Sequence, residues 1–118
     1  MHTNAIYYNY DFKKGVYDMF SRTWHGVVPI QFKEGFEKYE YETGVNDTKQ
    51  ITGNKGAYLK VIEKGEYAHF FLCTFWDSMD SMMQYSGPDP EIAVDYPEDE
   101  KYGLISDPIV IIQEVSLF

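Results

Sequence analysis

The sequence predicts an α+β domain in the ferredoxin-like β-α-β-β-α-β order, a four-stranded antiparallel sheet with two helices on one face. Three observations predict it. Strand-like segments alternate with two amphipathic ones in that order, the middle two strands are joined tightly enough to require an antiparallel hairpin, and two strands are apolar on both parities. The last point extends beyond one subunit. Two helices cover one sheet face, so the other is expected to meet a second copy of the chain.

Residues 19–28 (MFSRTWHGVV) are β-branched and aromatic, and Pro29 ends the run, giving a first strand. Phe32, Phe36 and Tyr39 then recur at i, i+4 and i+7 with Lys33, Glu34, Glu37 and Lys38 facing water. That spacing predicts a helix over 30–43 with Gly44 as its C-cap. The polar stretch VNDTKQITGNKG reads as a loop whose glycines turn into the next strand. In 57–63, Tyr58 and Lys60 alternate with Leu59 and Val61. Lys64-Gly65-Glu66 turns the chain into the apolar run 67–76, YAHFFLCTFW. Asp77-Ser78 offers an N-cap for SMDSMMQYSG, with Met79, Met82 and Met83 on one side and Gly87 ending it. The proline- and acid-rich segment 88–103 reads as a solvated loop with one or two helical turns in PEIAVDY. Residues 108–118 form the last strand. Residues 1–17, with Tyr7, Tyr8, Tyr10 and Phe12 among polar residues, read as an arm ahead of a single domain over 18–118.

Composition narrows the function. The chain has 118 residues, 44% hydrophobic and 25% charged, as expected of one globular domain. Nineteen acidic against ten basic residues give −9, a field that repels phosphate backbones, so neither nucleic acid nor an anionic membrane is expected as a partner. Apolar runs such as 70–73 and 109–112 are short. A membrane-spanning helix needs roughly 20 apolar residues, and neither run approaches that. The N-terminus lacks the pattern of a signal peptide, and a single cysteine, Cys73, cannot form an internal disulfide. A cytoplasmic protein is therefore expected. Zinc spacing, a calcium loop, a P-loop, a dinucleotide fingerprint and a nucleophile elbow are all missing, so no metal or cofactor is expected. The unusual quantity is 18% aromatic, from eleven Tyr, eight Phe and two Trp.

Five segments carry a resemblance to a known family. They are RTWHGVVP in the first strand, GNKGAYLKV after the first helix, HFFLCTFWDSMDSM at a strand-to-helix junction, the Ala93, Tyr96, Pro97, Glu98, Asp99 segment, and the closing Gln113-Glu114-Val115. Over about residues 20–116 the chain resembles the antibiotic-biosynthesis-monooxygenase-like proteins of the dimeric α+β barrel superfamily. The resemblance implies a homodimer closed through its sheet faces, with a pocket between sheet and helices in each subunit. It also implies a cofactor-independent monooxygenase-like activity on a hydrophobic aromatic small molecule, or a non-catalytic binding or stress-response module of the same fold. The haem-degrading branch is set apart by an Asn–Trp–His set. Here Thr23, Trp24 and His25 stand where the Asn would lie, and 93–96 contains no His, so haem is not expected. A His that relatives carry in the last strand is replaced by Ile112 or Gln113.

Oxidising a phenol without a cofactor needs a base, an apolar pocket and a donor for the developing oxyanion. His25 and His69 are the candidate bases. Trp24, Tyr58, Trp76, Tyr85 and Tyr96 are candidate pocket residues. Arg22, a charge within a strand, either anchors an anionic group of the ligand or pairs with Glu114. The methionines and Cys73 read as packing, and 95–100 as a solvated acidic loop.

Overall fold

A computed structural model describes residues 19–116, and the expected arm falls outside the described residues. The chain forms an α+β domain built on an antiparallel sheet. The strands are β1 (Met19–Pro29), β2 (Asn54–Lys64), β3 (Tyr67–Trp76), β4 (Ile105–Ser106) and β5 (Ile111–Val115). Their order is β2-β3-β1-β4, with β5 also paired to β1, which is compatible with the ferredoxin-like pattern. The hairpin turns at Gly65, which adopts a left-handed conformation with φ 63°. Glycine takes that conformation without steric cost.

Three sequence expectations are corrected. First, the helix does not stop at Gly44. Helix α1 (Lys33–Glu40) passes into a π turn (Tyr41–Val45) and then α2 (Asn46–Lys49), leaving only residues 50–53 as a loop. Gly44 is there for space and not for a cap: a Cβ on it would lie 2.9 Å from Glu40 Oε2 and 2.9 Å from Leu72 Cδ2. Second, the last strand, expected over 108–118, is Ile111–Val115, and Ile105–Ser106 forms a separate short strand ahead of it. Both strands pair with β1, but between them Val110 N–H donates to Glu91 O (2.8 Å) and Pro108 O accepts from Ala93 N–H (3.0 Å). The chain leaves the sheet edge there to hold the segment 88–103, here called the strap. Third, PEIAVDY is not helical: Ile92 bridges to Ile109, and the strap's single turn is a 3-10 helix at Asp99–Tyr102.

Alternation along β1 and β3 sorts their side chains between two faces. Trp24, Val28, Phe70, Leu72 and Trp76 point to the helices and are buried with Phe36, Met79, Met82 and Ile112. Phe36 is the keystone from α1, edge-on to Phe70 (4.9 Å) and against Tyr102 (5.6 Å). Edge-to-face contacts of this kind suit the charge distribution of aromatic rings. Helix α3 (Met79–Ser86) starts as predicted, with Ser78 Oγ accepting from Ser81 N–H (3.1 Å), and Gly87 follows it. On the opposite face, Tyr58, Ile62, Tyr67, Ile105 and Ile111 are all more than two-fifths exposed, with Ile105 at 63% and Ile111 at 61%. Both-face apolarity therefore has two outcomes: one face is the core and the other is an open apolar surface. Among the described residues, no helix is long and apolar enough to cross a membrane.

Gly53 joins β2 to the start of α3. It has φ 99°, its carbonyl accepts from Asp77 N–H (2.8 Å), and an added Cβ would press on Ser81 Oγ and Asp77 Oδ1. Gly53→Ala is expected to destabilise the domain by about 2–4 kcal/mol in urea unfolding, because positive φ and overpacking both oppose it. Gly65→Ala has open space around the Cβ. It meets only the φ penalty, about 1 kcal/mol. Equal losses for the two variants would contradict the packing role of Gly53.

Candidate functional site

The site lies between the sheet and the helices, beneath the strap. Trp24 and Arg22 project from β1 toward the helices, and the end of α1 and the π turn bring Glu40 and Gly44 over them. Tyr85 comes from α3, and Val94, Tyr96 and Asp99 come from the strap. Together with Leu72, Leu104 and Ser106 these residues enclose a cavity of about 20 Å³. That is room for one water-sized group. Tyr96, Asp99, Leu104 and Ser106 also line an outer cleft of about 240 Å³ with Asp95, Pro97 and Glu100. The inner space thus shares a wall with a larger cleft lined by acidic residues.

Arg22 is 4% exposed. A buried guanidinium needs partners, and it finds them in the strap backbone. Nε donates to Pro90 O (3.0 Å) and Nη2 to Ile92 O (2.8 Å). The group also sits 5.6 Å from the Tyr85 ring centroid, within range of the ring's negative face. The expected pairing with Glu114 is not made. Glu114 lies opposite Phe20 in the β1–β5 register, while Arg22 lies opposite Ile112. Burial pulls the guanidinium below its ordinary value. No ion pair among the described residues involves Arg22, so its charge is uncompensated beside the cavity.

Glu40, also 4% exposed, supplies the opposite chemistry. Burial, with the charge of Asp99 nearby, pushes its carboxyl up to about 7. Asp99 is raised as well, chiefly by burial. Its Oδ2 accepts from Tyr96 N–H (2.9 Å), while its buried Oδ1 has no hydrogen-bond partner among the described residues. Two phenols complete the wall: Tyr85 Oη and Tyr96 Oη are 3.0 Å apart, and Tyr96 O–H donates to Asp47 Oδ2 (2.9 Å) on α2. Burial raises both phenols. Trp24 Nε1–H donates to Ser106 Oγ (2.7 Å), which fixes the indole against β4.

Of the residues singled out in the sequence, Arg22, Trp24, Tyr85 and Tyr96 come together in this cavity. Trp76 does not line it. It is fully buried, donates to Thr74 Oγ1 (2.8 Å) and stacks beneath Tyr85 at 6.5 Å. Tyr58 is on the open face of the sheet, 6.2 Å from Phe75. His25 and His69 are on that face too, opposite the cavity. There they join: His25 Nε2 and His69 Nδ1 are 3.0 Å apart, His25 Nδ1 meets Asp107 Oδ2 at 2.8 Å, and Phe71 stacks against His25 at 4.6 Å. Neither imidazole reaches the cavity. Glu40, Asp47, Asp99 and Ser106 were missed in the sequence, and the acidic loop turns out to line the groove. Among the described residues, no group of three or more metal-binding side chains comes together. No family model matches the chain, and no curated protein matches it.

Folding favours the protonated form of Glu40, because its folded value of about 7 lies above the ordinary 4.5. The resulting stabilisation is complete below pH 4.5 and is lost as pH rises through 7. Glu40→Gln removes this titration. Urea unfolding at pH 5 and pH 8 is expected to show the variant gaining on the wild type by roughly 2–3 kcal/mol between the two pH values. Parallel pH dependence in both proteins would show that the carboxyl is not strained.

Proposed function

We propose that the cavity is the reaction site of a cofactor-independent monooxygenase-like enzyme acting on a hydrophobic aromatic small molecule. The observation that carries this reading is the Glu40 carboxyl, buried beside Arg22 and poised near neutrality. A base is most effective when its pKa lies close to the working pH. In the ionised form Glu40 takes a proton from an activated methylene of a phenolic substrate, and Arg22 stabilises the resulting anion. The carbanion reduces dioxygen, the methylene becomes a carbonyl, and water leaves with the second oxygen atom. The enclosed space admits only the reacting edge of such a molecule, so its rings occupy the outer groove against Tyr96, Pro97 and Leu104.

This assignment moves the base from His25 and His69 to Glu40, for reasons of placement alone. Oxygen uptake on a panel of hydroxyanthrones in air is expected to fall at least about 100-fold in Glu40→Gln, the usual scale for loss of a general base. His25→Ala and His69→Ala are expected to keep it. Uptake that survives Glu40→Gln overturns the mechanism. The small enclosed volume favours a second reading, a non-catalytic binding module, and quenching of Trp24 fluorescence by the same compounds without uptake would select it.

The reading includes a homodimer. The open face carries Ile105, Ile111, Ile62 and Tyr58, all exposed, around the His25–His69–Asp107 group, and exposed apolar side chains gathered on one face mark an interaction surface. A second copy laid face to face satisfies both patches at once. Light scattering at micromolar concentration is expected to give twice 13.8 kDa for the wild type and 13.8 kDa for Ile111→Glu. A monomeric wild type would overturn the dimer.

A further inference from the structure

Hydrogens in the Tyr85–Tyr96–Asp47 chain can run in only one direction. The Tyr96 hydroxyl hydrogen is committed to Asp47 Oδ2, because a carboxylate oxygen can only accept. The bond between the phenols must therefore run from Tyr85 O–H to Tyr96 Oη. Tyr85, a lining residue of the cavity, is left with an accepting oxygen and no hydrogen to offer. Arg22 stands over the same ring, a cation without a carboxylate partner among the described residues. A group that binds here must donate a hydrogen to Tyr85 and gains if it then carries negative charge. A neutral phenolic hydroxyl does both, whereas a carboxylate offers no hydrogen.

We infer that the cavity binds its ligand by a phenolic hydroxyl on Tyr85 and exports that proton through Tyr96 to Asp47, leaving a phenolate beside Arg22. The step is a concerted shift of three hydrogens. The ligand O–H bond breaks as a Tyr85 O–H forms, the Tyr85 hydrogen passes to Tyr96, and the Tyr96 hydrogen passes to an Asp47 carboxylate oxygen. Nothing is oxidised or reduced, and neither tyrosine is ionised at any point. Asp47 is solvent-exposed on α2, so it returns the proton to water with the strap closed. The charged and titratable groups facing the two phenols are Arg22, Tyr39, Glu40, Asp47 and Asp99. Tyr85 touches the ligand. Tyr96 and Asp47 act through it and are relay residues.

This inference rests on the reading of the cavity as a ligand site and not on its oxygen chemistry. The test uses 4-nitrophenol, a small phenol whose anion absorbs in the visible. Absorbance titrations are run on the full-length protein, and again in Glu40→Gln to remove that carboxyl's own titration. The bound probe is expected to ionise at least about one pH unit below the free probe in the wild type, as an uncompensated cation at close range requires. Arg22 sets the shift, so Tyr96→Phe and Asp47→Asn are expected to retain at least the wild-type shift. What both are expected to lose is speed: after a pH jump the bound probe ionises at least about 10-fold more slowly, and Asp47→Glu recovers the wild-type rate. Asp47→Asn retains an oxygen for the Tyr96 hydrogen, so its slower ionisation isolates proton acceptance from mere positioning. Equal rates in wild type, Tyr96→Phe and Asp47→Asn overturn the relay, as does failure of the wild type to bind the probe. Oxygen uptake is scored separately: a relay-dependent rate without uptake keeps the relay and removes the oxygenase, and equal rates with uptake undiminished in Tyr96→Phe do the reverse.

Discussion

A buried guanidinium on β1 governs the arrangement around it. Desolvating a cation opposes folding by several kcal/mol unless its donors are satisfied. Arg22 meets this requirement with Pro90 O and Ile92 O, two carbonyls of a segment with little regular structure. The strap is thereby drawn over the sheet, and its far half brings Tyr96 and Asp99 to face Glu40. Had Arg22 paired with a carboxylate on β5, its charge would have been neutralised and the strap would have lost its inner anchor. With dipoles and not a carboxylate as partners, the guanidinium keeps its net positive charge beside the cavity.

The sheet then divides two sets of aromatic and titratable residues that the sequence shows as one. Along RTWHGVV, Arg22 and Trp24 turn to the cavity, while Thr23 and His25 turn to the open face. The register places His25 opposite Phe71 and Val27 opposite His69. The two imidazoles therefore meet diagonally across β1 and β3, and Asp107, just beyond β4, closes the chain. This polar trio shares its face with exposed Ile62, Ile105 and Ile111. Its partners satisfy one another and leave the surrounding isoleucines as the dominant character of that face.

Much of the fold was legible because it depends on local signals. Alternation in 57–63, the continuous apolar run 67–76, the Lys64-Gly65-Glu66 turn and the Ser78 cap each state their structure within a few residues. What escaped depends on contacts distant in sequence. Gly44 carries the same letter whether it caps a helix or makes room for a carboxyl four residues earlier, and only the cavity decides. The break between β4 and β5 follows from the strap's need for partners at Glu91 and Ala93, which no pattern in 104–115 announces. Half of the site was visible as unusual residues in strands and aromatic positions. Glu40 carried one signal that was available: it lies four residues after Phe36, on the apolar stripe where a charged residue should not be.

That carboxyl sits at the end of α1, immediately before the π turn. A regular α-helix through 33–49 would turn a different set of residues to the sheet after residue 45. The extra residue in the turn rotates the helix beyond it, so that Thr48 is buried and Asp47 faces Tyr96 while Phe36 stays in the core. Thr48 supports the widened turn by donating to Gly44 O (2.8 Å) and Val45 O (2.9 Å). The price of the device is an acid held near neutrality where a glutamine would be more comfortable. Selection for stability alone would remove it. A buried acid, the glycine that accommodates it and the helix defect that aims its neighbours all converge on one small space.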